Sequence, residues 1–291
     1  MCMQGKAFRE TQEQSKYTYN GPQSMTWKIE KEAIFVLGSM RAILMQLAHP
    51  LIAIGSDTHS CLMSDPFGRA KRTFTLSQKF AFGSDAMVHD AARSINRLHT
   101  HVHGALPIEA GAYAKGTPYK ARDPELLLWA HACWVDTVLL TYSLFFGPLS
   151  SAEKDQYYQE SKMRVRLLGL PTHAMPETMR DVEQYLNDML HSNRLAATPQ
   201  ARRLVHKALF PSSSVWLRPL MHLNRSITCA LLPPSIREIY GLQWDTRQQR
   251  TFDLFVQAVR AVLPYLPRYL RELPSARSMM RQERASRCPL R

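Results

Sequence analysis

The chain has 291 residues, of which 45% are hydrophobic, and this composition excludes an intrinsically disordered protein. Its formal net charge of +13 favours an anionic partner such as an acidic ligand or a membrane surface. No nucleic-acid-binding motif accompanies the charge, so no specific nucleic-acid partner is expected. Five widely spaced cysteines without a CxxC pair argue against a disulfide framework and a zinc site. Together with a polar N-terminus that lacks a secretory signal, they indicate a cytoplasmic protein.

The pattern along the chain is helical from the first apolar segment onward. Residues 1–25 are predicted to be a poorly ordered lead. Helices are then predicted over Trp27–His49, from Asp65 to Gly83, from Ser84 to Gly104, and from Asp123, Ser150, Pro176, Thr198, Ser214 and Asp245 onward. No alternating strand pattern of useful length occurs. We therefore predict the all-α class, with a single globular domain of about ten helices over residues 26–270 and a basic tail over 271–291.

The stretch from Ser84 to Gly104 contains a candidate ligand residue. Apolar residues recur in it at steps of three and four, and His99 lies on or beside the face that they form. A histidine among apolar neighbours is the kind of group that binds a metal or a heme iron. The alternative is a core histidine whose ring bonds to a carbonyl.

A second candidate set lies on the helix that starts at Asp65 and Pro66. Arg69, Arg72 and Thr73 fall at positions i, i+3 and i+4, so they share one face of that helix. Three polar groups on one face suit an anion or a small oxygen-containing ligand. The alternative is a solvated basic face.

The helix that starts at Asp123 and Pro124 is the most apolar in the sequence. Its length would suit a membrane span, but His131 and Asp136 lie in its interior, where a charged group in a bilayer is costly. A helix that is apolar all round also occurs at the centre of a large soluble domain, and we favour that interpretation. His131 and Asp136 are then buried polar groups that need partners.

Six segments, in order, resemble the MpaB-type oxygenases, the family that includes the latex-clearing rubber oxygenases. The segments are GSMRAILMQLAHPLIAIGSDTHS, DPFGRAKRTF, INRLHTHVHG, DPELLLWAHACWVDT, FGPLSSAEKDQYY with LLGLP, and LLPPSIREIYGLQWD. The quoted segments lie between Gly38 and Asp245, and the resemblance extends over about residues 27 to 265. The resemblance implies an all-α domain that encloses a pocket for a non-covalent b-type heme.

The resemblance also implies roles for individual residues. The family's proximal iron ligand corresponds to His99, and the arginine and threonine on the distal side correspond to Arg69 and Thr73. Where rubber oxygenases carry a lysine that can ligate the iron, this chain has Arg72, which stays charged and is a poor ligand. His131 lies in another family motif and is the second choice for the axial ligand, or else it supports the pocket together with Asp136.

The expected partners of the heme propionates depart from the family pattern. Family members often carry arginines three residues before and four residues after the proximal histidine, but here Asn96 and His103 occupy those positions. Other arginines are then expected to pair with the propionates, and the candidates are Arg93, Arg97 and Arg41.

The resemblance implies a heme-dependent oxidoreductase that uses dioxygen on a carbon–carbon double bond of an apolar isoprenoid or lipid-like substrate. Two alternatives remain open. One is a heme peroxidase or peroxygenase that uses hydrogen peroxide. The other is a non-enzymatic heme- or lipid-binding protein that contacts an anionic membrane surface peripherally through its basic tail.

Overall fold

The computed structural model describes residues 19–60, 64–210, 216 and 218–287, and they form one mostly helical domain. Most of the predicted lead lies outside these described residues. The helices are α1 Met25–Glu30, α2 Ser39–Leu47, α3 Pro50–His59, α4 Pro66–Phe82, α5 Asp85–His99, α6 Pro124–Phe146, α7 Ser151–Leu167, α8 Met179–His191, α9 Pro199–Leu209, α10 Arg218–Leu231, α11 Pro234–Tyr240, α12 Thr246–Val262, α13 Arg268–Arg271 and α14 Pro274–Arg287. Three short 3-10 helices cover Ala33–Gly38, Thr172–Ala174 and Leu263–Tyr265. The helical class is confirmed, although the described helices outnumber the ten expected.

The first predicted helix is divided into three pieces. α1 ends at Glu30, a 3-10 helix follows, and α2 begins only at Ser39. Between them Glu32 forms an isolated antiparallel bridge with Glu272, and the Leu273 amide donates to the Lys31 carbonyl over 2.7 Å. The contact with the distant C-terminal segment holds the backbone extended here, which helical periodicity alone cannot reveal.

The expectation of no strands is wrong for the segment after α5. The helix ends at His99 rather than at Gly104, and β1 (His103–Ala105) pairs antiparallel with β2 (Pro118–Lys120). Gly104 lies opposite Tyr119, and a side-chain carbon on Gly104 would lie 2.8 Å from the Tyr119 hydroxyl oxygen. The glycine therefore permits the close approach of the two strands rather than ending a helix.

α6 is the central helix of the core. Trp129, Cys133 and Val135 are fully buried, and the helix packs against α2, α7, α8 and α12. Gly38 allows the preceding 3-10 helix to approach α6, because a side-chain carbon there would lie 2.2 Å from the Thr141 hydroxyl oxygen. This burial confirms that α6 is a core helix.

Among the described residues, no single helix is long and apolar enough to cross a membrane. Ala33–Leu47 and Pro50–His59 meet the criteria of length and apolar character only as a pair, and that pair is bent by 106°. Buried helices of a soluble core meet the same criteria, so the pair is weak evidence for a span.

Local capping sets several boundaries. Asp65 caps α4 by accepting from the Gly68 amide, and Ser150 with Glu153 forms the predicted capping box of α7. α8 begins at Met179 rather than at Pro176, because Thr178 supplies its capping box.

The C-terminal segment differs from a solvated tail. α14 packs against α4, and Ala276 and Met279 are buried in the core beside Leu273. Arg271, at the start of the predicted tail, forms an ion pair with the buried Glu32. The helix thus contributes apolar contacts, not only positive charge.

Candidate functional site

α4 and α5 are joined only by Gly83 and Ser84, and they pack against each other. Near this connection Leu76 and Phe80 of α4 share an apolar cluster with Val88 and Ile95 of α5. Met163 and Leu167 of α7 complete the cluster. One side of each helix in the pair is therefore fixed by packing.

By helical register, polar residues further along α4 and α5 lie on the same sides of these helices as the apolar cluster. On α4, Arg69 lies 11 residues before Phe80, about three turns, and Thr73 lies three residues before Leu76. On α5, His99 lies 11 residues after Val88 and four after Ile95. Arg69 and His99 each lie about 21 Å along the helix axis from the connection. By register, the predicted distal and proximal residues thus continue the sides of α4 and α5 that carry the cluster residues.

His99 has the environment of a ligand residue. Its ring is half-buried, and its Nδ1 atom is buried without a hydrogen-bond partner among the described residues. Burial, and then the positive charge of Arg122, lower the pKa of His99 below its usual value. The neutral imidazole is the form that ligates iron. The carbonyl partner of the alternative interpretation is not found for Nδ1 in the described part of the chain.

Arg122, whose charge acts on His99, lies against a glycine. Gly169 has a φ of +106°, and a side-chain carbon there would lie 3.1 Å from Nη2 of Arg122. The sequence analysis missed this arginine, since Arg122 and Gly169 meet only in the folded chain. Its position near a glycine-rich loop was the only sequence signal.

The α4 residues differ in their exposure. Arg69 is half-buried, whereas Arg72 and Thr73 are exposed. Arg72 donates to the Asp65 carboxylate over 3.1 Å. The Gly68 amide and then Arg72 hold the pKa of Asp65 below its usual value. The N-cap carboxylate of α4 thus binds the Arg72 guanidinium at the exposed start of the helix.

His131 is a buried, partnered histidine. Its Nε2 atom lies 3.2 Å from the Ser161 hydroxyl oxygen, and its ring lies beside that of Tyr158. Burial lowers the pKa of His131 to about 3, with smaller contributions from Arg164 and Lys162. The contacts are those of a core residue that joins α6 to α7.

Arg41 is a buried group whose guanidinium bonds within the protein. It forms an ion pair with Asp136 at 2.6 Å and also donates to the Thr137 hydroxyl and the Leu231 carbonyl. Asp136 therefore pairs with Arg41 rather than with His131.

The other two candidate arginines for the propionates lie on α5. Arg93 is exposed and forms an ion pair with Asp90 of the same helix. Arg97 is exposed near the C-terminal end, two residues from His99.

The loop between β1 and β2 is held by a network that sequence analysis did not identify. The Tyr113 hydroxyl donates to Glu125 at the start of α6, and Arg194 forms an ion pair with the same carboxylate. The fully buried His49 accepts from the Leu51 amide through Nδ1, so its Nε2 carries the proton and donates to Glu125 over 3.1 Å. The network attaches this loop to α3 and α6.

The described segments contain no group of three or more His, Cys, Asp or Glu residues placed to hold a metal ion. They therefore give little support for a metal ion bound by protein side chains alone. A single histidine beside an apolar cluster is instead compatible with a prosthetic group that brings its own metal.

Comparisons with known proteins match most of the chain. The family model "ER-bound oxygenase mpaB/B'/Rubber oxygenase, catalytic domain" matches residues 27–261, a range that contains every candidate residue named above. Uncharacterized protein Mb2261 of Mycobacterium bovis and uncharacterized protein Rv2237 of Mycobacterium tuberculosis are each 25% identical over 233 residues. Each alignment covers 77% of this chain and 87% of the relative. No solved structure matches the chain.

Proposed function

The chain belongs to the family of ER-bound mpaB and rubber oxygenase catalytic domains, and from this premise we propose that it is a heme b-dependent oxygenase. The family consists of oxygenases, so the chain is an oxidoreductase domain of that kind. In our proposal dioxygen reacts with a carbon–carbon double bond of an apolar, isoprenoid or lipid-like substrate. Each alkene carbon takes one oxygen atom, the double bond breaks, and two carbonyl groups form.

The observation that carries the proposal is the register of α4 and α5. By helical register, Arg69 and Thr73 extend the side of α4 that contributes to the apolar cluster, and His99 extends the side of α5 that contributes to the same cluster. A ligand between these extensions would meet an imidazole on one side and two hydrogen-bond donors on the other. A heme with one protein ligand and a polar distal side requires this arrangement.

The residues present fit a heme. The Nδ1 atom of His99 is a buried acceptor or donor without a partner in the described residues, and the lowered pKa keeps the ring neutral. We assign His99 as the axial ligand, and Arg97 and Arg122 as cations near the propionates. We assign His131 and Arg41 to structural roles, because Ser161 and Asp136 respectively already bond to them. Arg93 is bonded to Asp90 and is the weakest of the propionate candidates.

Bound heme would supply a site for dioxygen, the alkene itself would supply the electrons that reduce dioxygen, and the chain supplies orientation and electrostatics. Arg69 and Thr73 donate hydrogen bonds where partial negative charge develops on oxygen. Arg72 remains paired with Asp65 and does not ligate the iron. The surrounding apolar clusters hold the substrate and keep water out.

The first experiment tests the cofactor. Heme is added to the purified wild type, His99→Ala and His101→Ala, and absorption spectra are recorded with circular dichroism as the folding control. His101 is exposed and two residues away, so its replacement is a matched control. We expect a Soret band in the wild type and His101→Ala but not in His99→Ala. A band that persists in a folded His99→Ala would contradict the assignment of the ligand.

The second experiment tests the reaction. Carbonyl products from an isoprenoid alkene such as squalene are measured under labelled dioxygen and, separately, with hydrogen peroxide under argon. We expect label from dioxygen in the products. Arg69→Gln should keep the Soret band but lower kcat about 100-fold. Peroxide-dependent turnover alone would favour a peroxygenase, and heme binding without turnover of any alkene would favour a heme-binding protein.

A further inference from the structure

A long segment of the chain contains positive charge and no acidic residue. Between Asp188 and Glu238 there are seven arginines and lysines and not one aspartate or glutamate. This segment includes α9 and α10, and its basic residues on those helices are Arg202, Arg203, Lys207, Arg218 and Arg225. Arg203 forms an ion pair with Asp57 of α3, and no other acidic partner is recorded for these residues in the described part of the chain. This segment therefore carries a large part of the net positive charge of the chain.

Large apolar side chains are exposed within the same segment. Trp216 is 90% exposed, Leu220 56%, Phe210 44% and Leu223 41%. Leu220 and Leu223 lie three residues apart and therefore share a face of α10. Large apolar side chains exposed together in one short segment are typical of an interaction site.

The exposed end of α10 is attached to a rigid base. Ile227, Cys229 and Leu231 in its C-terminal half are buried, and that half packs against α2 and α12. Most residues from Arg218 to Leu223 are exposed. The helix is thus fixed at one end and presents apolar residues to solvent at the other.

Basic and apolar groups interleave where α9 meets α10. The guanidinium of Arg225 on α10 lies over the ring of Phe210, the C-cap residue of α9, at 4.8 Å from its centroid, and the His206 ring of α9 stacks on the same Phe210 ring at 4.9 Å. A groove of about 510 Å³ opens beside Phe210, and Arg202 and Lys207 also line it. We call this region the α9–α10 surface, defined by Arg202, Lys207, Phe210, Trp216, Arg218, Leu220, Leu223 and Arg225.

We propose that the α9–α10 surface docks on an anionic phospholipid bilayer. Leu220, Leu223 and Trp216 would enter the boundary between headgroups and acyl chains, where tryptophan is favoured. The basic residues would contact the anionic headgroups, and the absence of acidic residues over the segment removes the repulsion that would oppose them. This places the membrane contact on α9 and α10 rather than on the C-terminal segment, and it does not depend on heme or on the proposed reaction.

The test is sedimentation of the full-length protein with vesicles. One set is pure phosphatidylcholine, and the other is phosphatidylcholine mixed with phosphatidylserine. We expect binding to the mixed vesicles that weakens as salt is added, and little binding to pure phosphatidylcholine. The triple variant Trp216→Ser, Leu220→Ser and Leu223→Ser should bind at least about tenfold more weakly, and so should the pair Lys207→Glu and Arg218→Glu.

A matched control removes comparable apolar surface elsewhere. Tyr265, Tyr269 and Leu270 are 85%, 63% and 57% exposed, and their triple replacement by serine should leave vesicle binding unchanged. Circular dichroism confirms folding of each variant. Equal binding by the α9–α10 triple variant and the wild type would overturn the proposal. Wild-type protein that ignores anionic vesicles but forms a dimer by light scattering, lost in that variant, would overturn it in favour of contact between copies.

Discussion

At the scale of single residues, the Glu125 carboxylate joins three parts of the chain. They are the loop between β1 and β2, the start of α3, and the loop after α8. Hydrogen bonds from His49 and then Tyr113, with the charge of Arg194, lower the pKa of Glu125 to about 2. Burial, and then the hydrogen bond to the same carboxylate, raise the pKa of Tyr113 to about 12. The charged carboxylate is therefore favoured by folding, and its stabilisation depends on pH.

We predict that Glu125→Gln lowers the free energy of unfolding at neutral pH by about 1–2 kcal/mol, a value reduced for partial exposure. Because the folded pKa lies below the unfolded value of about 4.3, this contribution is complete above that pH. It is lost as the pH falls from about 4.3 towards 2. Urea unfolding of the wild type and Glu125→Gln between neutral and acidic pH measures the difference between their free energies of unfolding, which should become smaller as the pH falls. A difference that stays constant from pH 6 to pH 3 would show that the charge of Glu125 does not stabilise the fold.

Sequence alone could indicate His99, Arg69 and Thr73, because helical register and the family motifs are local properties. It could not indicate Arg122, whose charge acts on His99 and whose side chain lies against Gly169 from a distant loop only in the folded chain. Nor could it show that Arg41 is bonded to Asp136, 95 residues away. Long-range pairing of polar groups is set by tertiary packing, which leaves no periodic signal in the chain.

At the scale of elements, caps and prolines predicted most helix starts, whereas contacts with distant segments changed several ends. Asp65, Ser150 and Thr198 cap helices as expected from their sequence. α5 instead stops at His99 because the following residues pair with β2. The ending places His99 in the last turn, where the helix meets the loop held by Glu125.

The C-terminal helix provides an element-scale prediction. Ala276 is fully buried where α14 packs on α4, so Ala276→Asp would bury a carboxylate without a partner. We expect the free energy of unfolding to fall by about 3 kcal/mol or more. Arg281→Asp, at an exposed position of the same helix, is the control and should change it by about 1 kcal/mol or less. Similar losses in both variants, measured by urea unfolding, would mean that α14 contributes through charge rather than packing.

At the scale of the whole molecule, the candidate residues on α4 and α5 belong to a domain that has one large hydrophobic core cluster and several smaller clusters. Burial of α6 at the centre follows from its nearly continuous apolar sequence, so the class of fold was predictable. The hairpin, the break between α1 and α2 and the packing of α14 were not, because each depends on a partner far along the chain. A ligand held between two helices of such a domain stabilises all of it.

This coupling gives a prediction for the unfolding of the entire domain. A ligand that binds only the folded state adds about 2.7 kcal/mol when present at a hundred times its Kd. For a domain of this size that energy corresponds to a rise in Tm of roughly 5–10 °C. We expect heme to produce such a rise in the wild type and in His101→Ala, as measured by circular dichroism at 222 nm. His99→Ala should unfold at nearly the same temperature with and without heme, because the axial ligand is missing. A rise of equal size in His99→Ala would mean that heme binds elsewhere on the protein and that the facing sides of α4 and α5 do not form its site.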